Sequence, residues 1–86
     1  MYYVYVLQSE AEDDRFYLGS TTDLKRRMQE HNQGKNKSTR GHQWKLVYYE
    51  AYLSEAASRE REHKLKQDGR TKRFLMQRIK TSLKTN

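Results

Sequence analysis

The chain contains no cysteine and no long run of apolar residues, and each absence excludes a class of protein. Without cysteine there is no disulfide framework and no thiolate zinc site, and the composition suits a reducing compartment. The apolar N-terminal segment, residues 1–7, is too short to span a bilayer and lacks a basic leader. We therefore expect a cytoplasmic protein with no membrane partner.

The chain has few apolar residues for its size: they make up 34% of the 86 residues, and charged residues make up another 34%. The expected single domain, residues 1–83, must therefore have a small core, while the aromatic content of 12% argues against disorder. Eighteen Lys and Arg oppose eleven Asp and Glu, which leaves a net charge of +7. Because neutralising phosphates releases counterions, nucleic acid is the leading expected partner. The alternative is charge that serves only solubility.

Aromatic and β-branched residues mark three strands. Residues 2–8 are almost continuously apolar, which predicts a strand buried on both faces. The polar residues 9–15 then predict a hairpin loop and residues 16–18 its returning strand, which we expect Gly19 to end. Residues 44–53 predict a third strand.

Capping residues follow Gly19 and indicate the start of a helix. Ser20 and Asp23 have the capping-box spacing, with Thr21 and Thr22 as competing N-caps, and the pattern predicts a helix over residues 23–32.

The basic residues of this helix fall on different sides of it. On a helical wheel His31 lies within the apolar stripe and Arg27 borders it, so both can reach a site beside the strands. Lys25 and Arg26 fall on the opposite side, where we expect them to be solvated or to steer phosphate.

The second half of the chain predicts a loop and two more helices. Residues 33–43 contain two glycines, three basic residues and no apolar residue, which indicates a mobile basic loop. Trp44 either covers the core or stacks on a base, and the core is favoured. Ser54 is expected to cap a helix over residues 55–66, whose only large apolar residue is Leu65, and Gly69 to stop it.

A third helix, residues 70–83, carries Leu75, Ile79 and Leu83 four residues apart and should cover the sheet. We expect residues 84–86 to form a frayed tail. The predicted fold class is therefore α/β (α+β): a small three-stranded antiparallel sheet flanked by helices in the order β-β-α-β-α-α.

These elements offer the groups that phosphodiester cleavage requires. Such a site activates water, neutralises transition-state charge and commonly holds a hard metal ion on a carboxylate. Tyr5 and Tyr17 lie on neighbouring strands, Arg27 and His31 on the first helix, and either Glu60 or Glu62 on the second. The competing interpretation is structural, because most tyrosines of a small sheet fill its core, and the histidines lack zinc-ligand spacing.

The residues resemble a GIY-YIG nuclease domain of the small single-domain bacterial type. Tyr3-Val4-Tyr5 stands at the first signature tripeptide and Tyr17-Leu18-Gly19 at the second, with Arg27 ten residues after Tyr17. The similarity extends over about residues 2–80. The first tripeptide departs from the signature, reading Tyr-Val-Tyr instead of Gly-Ile-Tyr.

The resemblance implies metal-dependent hydrolysis of phosphodiester bonds in DNA, for repair or recombination. Tyr5 and Tyr17 would position or deprotonate the attacking water, and Arg27 would stabilise charge on the phosphate. His31 matches a position used for proton transfer or phosphate contact, and Gly19 lets the backbone approach the site. A glutamate on the second helix would hold a single Mg²⁺ or Mn²⁺.

Two arguments select the glutamate. On the helical wheel Glu62 lies about 60° from Leu65 and Glu60 about 140° away, so Glu62 faces the sheet. The family's spacing of a glutamate four residues before Lys66 also selects Glu62, with Glu60 in reserve.

The family usually couples this domain to a separate DNA-binding domain, which we do not expect here. Substrate binding then falls to exposed basic residues of the first helix and the loop: Lys25, Arg26, Lys35, Lys37 and Arg40. Phosphate contacts position a nucleic acid without specifying its sequence. We expect DNA in preference to RNA, and a monomer or weak homodimer. The alternative function is a nucleic-acid-binding module on the same fold, with weak or lost catalysis.

Overall fold

A strand that is apolar on both faces takes the centre of the sheet. The computed structural model describes residues 1–84. Its elements are β1 (Tyr2–Ser9), β2 (Phe16–Thr21), α1 (Leu24–Asn32), β3 (Trp44–Tyr52), α2 (Glu55–Gln67) and α3 (Gly69–Lys84). The strands form one antiparallel sheet in the order β2-β1-β3, so the predicted fold class and element order are confirmed.

Helices cover both faces of β1. On one face Val4 and Val6 pack against residues of α2 and α3, namely Leu65, Leu75 and Ile79. On the other face Tyr5 and Leu7 pack with Trp44 and with the side chains of α1. Trp44 is buried, so it belongs to the core as predicted. Because side chains alternate along a strand, the apolar residues of β1 contribute to two small cores, one on each face of the sheet.

The junction between β2 and α1 differs from the prediction. Gly19 does not end β2, which continues to Thr21 because Ser20 and Thr21 still pair with β1. The N-cap of α1 is Asp23, whose Oδ1 accepts a hydrogen bond from the Arg26 N–H at 3.0 Å. Ser20 and Thr21 are still strand residues, so the helix begins later than the capping-box spacing predicts.

The end of α2 also differs. Ser54 caps α2 as predicted, its Oγ accepting from the Ala57 N–H at 3.0 Å. Gly69 does not stop this helix in a left-handed conformation, because the turn falls on Asp68 and Gly69 is already the first residue of α3. Lys84 belongs to α3, contrary to the expected frayed tail, and residues 85–86 lie outside the described residues.

The basic loop, residues 33–43, is anchored at its middle. Thr39 is fully buried although the loop that carries it has no apolar side chain. Its backbone oxygen accepts a hydrogen bond from the Trp44 indole N–H at 2.9 Å. Gly34 and Gly41, with φ of 76° and 92°, take the left-handed turns on either side. Within residues 1–84, no helix combines the length and apolar character needed to cross a membrane.

Candidate active site

The site begins with a buried phenol that lies over a glycine. Tyr5 is 1% exposed and pairs directly with Gly19 across the β1–β2 ladder. A Cβ atom on Gly19 would lie 2.6 Å from the Tyr5 Oη and 3.0 Å from Tyr17 Cε2. Because any side chain on residue 19 would clash with Tyr5, glycine at this position allows the Tyr5 hydroxyl to lie against the edge of β2.

A buried histidine fixes the direction of that hydroxyl. His31 is fully buried, with Nε2 2.8 Å from the Tyr5 Oη and Nδ1 2.7 Å from the Thr39 Oγ1. The Thr39 hydroxyl donates to the Asn36 carbonyl at 3.3 Å, so its oxygen accepts from Nδ1–H of His31. Nε2 is then the unprotonated nitrogen and accepts from the Tyr5 O–H. This network assigns one tautomer of His31 and leaves the Tyr5 lone pairs pointing away from it.

The protonation states agree with that network. Burial lowers the pKa of His31, and the positive charge of Arg27 lowers it further, so the imidazole is neutral near pH 7. Burial raises the pKa of Tyr5 to about 12, although Arg27 acts in the opposite direction. The resting pair is therefore a neutral phenol donating to a neutral imidazole.

Arg27 and Tyr17 line the open side of this pair. The Arg27 guanidinium donates to Glu30 Oε1 at 3.0 Å, and the neighbouring Tyr5 hydroxyl raises the pKa of Arg27, so its charge is permanent. The Tyr17 ring lies 4.9 Å from the His31 ring and 6.4 Å from the Tyr5 ring, between centroids. Arg27 thus brings a fixed positive charge beside both tyrosines.

Glu62 reaches the same edge of β2 from the opposite face of the sheet. Because side chains alternate, Ser20 points toward α2, where its hydroxyl donates to Glu62 Oε1 at 2.7 Å. Glu62 Oε2 lies 2.9 Å from Lys66 Nζ. Burial raises the pKa of Glu62, but Lys66 and Ser20 outweigh it and hold the pKa below its ordinary value. The negative charge of Glu62 also contributes to the raised pKa of Tyr5, so the two groups interact across the edge of β2.

The other glutamate points elsewhere. Glu60 is exposed and borders a shallow surface depression with Arg61 and Lys64. Glu62, by contrast, is 21% exposed in its side chain and bonded to β2 through Ser20. The structure therefore places Glu62 beside the two tyrosine-bearing strands, as the wheel predicts, and places Glu60 on the outer surface of α2.

Three polar partners of these residues were not anticipated as such: Ser20, Thr39 and Lys66. The i, i+4 spacing from Glu62 could have identified Lys66 as a partner. Ser20 was expected to cap a helix, and instead bonds to a residue 42 positions later. Nothing in the local pattern distinguishes Thr39 from its polar neighbours, since only the folded loop brings it to His31.

The basic residues expected to bind nucleic acid are all exposed: Lys25, Arg26, Lys35, Lys37 and Arg40. They are spread over α1 and the loop of residues 33–43. Arg26 lies 3.9 Å from Glu30, and Arg40 donates to the Gly34 carbonyl at 3.0 Å. These contacts leave a dispersed positive surface on the α1 side of the sheet.

The donor set at the β2 edge suits a hard divalent cation bound by few protein ligands. Within residues 1–84 no group of three or more His, Asp or Glu side chains converges on a metal position. Mg²⁺ commonly uses one or two carboxylates and completes its shell with waters and substrate phosphates. An ionised and partly exposed Glu62 fits that mode, provided that Lys66 gives up Oε2.

Comparison with known proteins agrees with this arrangement. A family profile described as the GIY-YIG catalytic domain matches residues 1–77. A UPF0213 protein of Haloquadratum walsbyi is 40% identical over 74 residues, covering 84% of this chain and 81% of the relative. One of Streptococcus pneumoniae strain R6 is 42% identical over 77 residues, covering 85% and 76% respectively. No solved structure gives a significant match. On the profile match and these relatives, the chain belongs to the GIY-YIG family.

Proposed function

We propose that the protein is a metal-dependent endonuclease that hydrolyses phosphodiester bonds of DNA. The observation that carries the proposal is the convergence of a phenol, a permanent cation and an ionised carboxylate on one sheet edge. Tyr5 and Arg27 approach that edge from the α1 side and Glu62 from the α2 side. Membership of the GIY-YIG family supports nuclease chemistry as the general class.

In this proposal Tyr5 and His31 act on the attacking water as a pair. With a pKa of about 12, the Tyr5 phenol stays protonated near neutral pH. Because its proton is donated to His31 Nε2, its oxygen can accept a proton from a second group. As water attacks phosphorus, the bond from phosphorus to the leaving oxygen breaks, the water proton moves to the Tyr5 oxygen and the phenolic proton moves to His31 Nε2. The leaving oxygen then takes its proton from solvent. Thr39 holds the imidazole in the tautomer that can accept it.

Arg27 and Tyr17 would act on the phosphate. Arg27 presents a charge that cannot be lost near neutral pH, which suits stabilisation of the negative transition state. Tyr17 would position the water or a phosphate oxygen from the neighbouring strand. Glu62 would hold a single Mg²⁺ or Mn²⁺, which supplies positive charge against the phosphate and the leaving oxygen. Ser20 keeps Glu62 Oε1 directed toward the edge of β2.

The test is a cleavage assay with Mg²⁺ or Mn²⁺ on labelled duplex, nicked, flapped and single-stranded DNA, and on RNA. We expect cleavage of at least one DNA substrate and its loss, by about 100-fold or more, in Glu62→Ala and Tyr17→Phe. Glu60→Ala is the matched control, since it removes the same charge two residues away without touching β2, and it should cleave normally. Full activity in Glu62→Ala, or no cleavage of any substrate by the wild type, contradicts the proposal.

A second function, binding without turnover, is favoured by one contact. Lys66 neutralises Glu62 at 2.9 Å and occupies the oxygen that a metal ion would take. A binding module predicts salt-dependent affinity for DNA that survives Glu62→Ala, with no cleavage in any metal. The assay above separates the two functions.

The biological substrates proposed here are DNA structures that are defined by shape. Recognition through phosphates cannot read sequence but can distinguish branched or single-stranded DNA, as formed in repair and recombination. We propose that the protein acts on such DNA in the cytoplasm, as a monomer or weak homodimer.

A further inference from the structure

The element with the largest excess of positive charge is α3. Six of its 18 Lys and Arg residues, and none of its 11 Asp and Glu residues, lie on α3. The helix therefore carries six of the seven net positive charges, and the rest of the chain is nearly neutral. Residues 24–43 also carry six Lys and Arg residues, but with Glu30 among them, so α3 is distinguished from α1 and the loop taken together by having no acidic residue at all.

These charges are available to a partner. All six basic side chains of α3 belong to exposed residues, and the ion pairs found within residues 1–84 join side chains outside this helix. Elsewhere the arginines are largely matched, for example Arg61 with Glu50 at 2.9 Å. Arg70 lies near an aromatic ring of the same helix, its guanidinium carbon 5.7 Å from the centroid of the exposed Phe74 ring.

Four of the charges form one stripe, which is called the α3 stripe below: Arg70, Arg73, Lys80 and Lys84. At about 100° per residue they fall within about 40° of the direction opposite the buried Leu75. At about 1.5 Å per residue the stripe is about 21 Å long, the axial length of about six base pairs of duplex. Its dimensions suit repeated contacts along one nucleic-acid backbone.

The same helix adjoins the strand that carries the candidate active site. A groove of about 300 Å³ lies between α3 and β2. Its lining includes Lys72, Leu75 and Lys80 of the helix, Phe16, Tyr17 and Leu18 of the strand, and the acidic Asp14 of the hairpin loop. Lys80 is the stripe residue that borders this groove, so a nucleic acid held at that part of the stripe would lie across the groove from β2, whose edge holds Tyr5, Arg27 and Glu62.

We propose that the α3 stripe is the principal phosphate-binding surface of the protein and holds the nucleic-acid backbone beside the edge of β2. The identity of the partner rests on the proposed function. A basic amphipathic helix can also bind anionic membranes, but it does so by inserting its apolar face. Here Leu75 and Ile79 of that face are packed against the sheet, 6% and 1% exposed, which leaves Phe74 as the exposed large apolar side chain on the described part of α3.

The experiment compares two triple variants that remove equal charge. One carries Arg73→Gln, Lys80→Gln and Lys84→Gln, and the other carries Lys25→Gln, Lys35→Gln and Lys37→Gln on the opposite side. Glutamine keeps helix propensity, and circular dichroism and thermal unfolding verify that both variants fold. Binding to a fluorescent DNA duplex is measured in EDTA over a series of salt concentrations, so that no cleavage is needed.

We expect the α3 variant to lower the slope of log K against log salt by about 2.7, for three lost phosphate contacts, and the matched variant by less than about 1. Equal losses in the two variants would mean that only net charge matters and would overturn the proposal, as would an unchanged slope in the α3 variant. A loss confined to phosphatidylserine vesicles, with DNA binding intact, would assign the stripe to membranes and also overturn it.

This result is independent of catalysis. Binding through α3 without cleavage in Mn²⁺ would contradict the proposed nuclease and leave the α3 inference standing. Cleavage that persists with unchanged KM in the α3 variant would support the proposed nuclease and contradict the α3 inference.

Discussion

Replacement of Gly19 by alanine tests the geometry of the candidate site most directly. Gly19 lies in a regular strand with no positive φ, so the alanine backbone is unstrained and the effect comes from the added methyl group alone. That methyl would lie 2.6 Å from the Tyr5 Oη and 2.8 Å from its Cζ. Ordinary contact needs about 3.5 Å, so the phenol must retreat by roughly 1 Å.

The retreat has a cost that can be estimated. Tyr5 is 1% exposed within a packed core, and its Oη lies 2.8 Å from His31 Nε2, so a shift of roughly 1 Å breaks that hydrogen bond. Overpacking of this kind costs about 1–3 kcal/mol, and the melting temperature should fall by at least about 4 °C. Cleavage should fall by about 100-fold, since a displacement of about 1 Å at a reacting group has that effect.

The assay is a double-mutant cycle with Tyr5→Phe, followed by thermal and urea unfolding. Removing the hydroxyl relieves the shortest contact, so Gly19→Ala should cost about 1 kcal/mol less in the Tyr5→Phe background. Gly69→Ala is the control: a Cβ there meets no atom within 4 Å, and the substitution should be neutral or stabilise by up to about 1 kcal/mol. If Gly19→Ala leaves stability unchanged, or shows no coupling to Tyr5, the arrangement of the phenol over the glycine is wrong.

Three further predictions concern the polar networks. Thr39→Val removes the acceptor of His31 Nδ1–H and should lower kcat about tenfold at unchanged KM, with Thr39→Ser restoring it; a change in KM alone would contradict the tautomer assignment. Burial raises the pKa of Glu50, but Arg61 and two tyrosines outweigh it and hold it below 4.5. Glu50→Gln should therefore lower the free energy of unfolding by about 1–3 kcal/mol at pH 7. A depressed folded-state pKa gives its full stabilisation above the unfolded value and loses it as the pH falls through the folded value. Urea titrations should therefore show this difference shrinking below about pH 4.5 and vanishing at still lower pH, and a pH-independent difference would refute it. Burial also raises the pKa of Glu62, while Lys66 lowers it. Lys66→Met should therefore raise that pKa and move the acid limb of the pH–rate profile to higher pH. An unshifted limb would show that the ion pair has no effect.

The sheet could be predicted from sequence because its signals are local. Residues 2–8 are apolar on both faces, which is typical of a central strand, and the polar hairpin loop that follows predicts its neighbour. The helical wheel of α1 separates Arg27 and His31 from the exposed Lys25 and Arg26 because helix periodicity alone decides which side a residue faces. The wheel of α2 favours Glu62 over Glu60 on the same ground.

The junctions were less predictable because competing partners decide them. Ser20 has the chemistry of an N-cap and also that of a hydrogen-bond donor to a distant carboxylate, and only the packing of α2 against β2 selects the second. Thr39 likewise becomes part of the site through a loop whose shape is set by Gly34 and Gly41. Composition gives a net charge but does not locate it, and the apolar spacing of residues 70–84 predicts a packed helix without indicating how much charge its outer face carries.

The edge position of β2 explains how so small a chain can assemble such a site. Two neighbouring residues of an edge strand point to opposite faces, so Gly19 receives Tyr5 from the α1 side while Ser20 receives Glu62 from the α2 side. In a central strand these two groups would be separated by the sheet, whereas at an edge both can face the same open space. The arrangement also leaves α3, the proposed phosphate-binding helix, on one side of the sheet and Tyr5 and His31, the proposed proton-accepting pair, on the other. In the proposed function, a backbone that crosses the edge of β2 would therefore be held from one face of the sheet and attacked from the other.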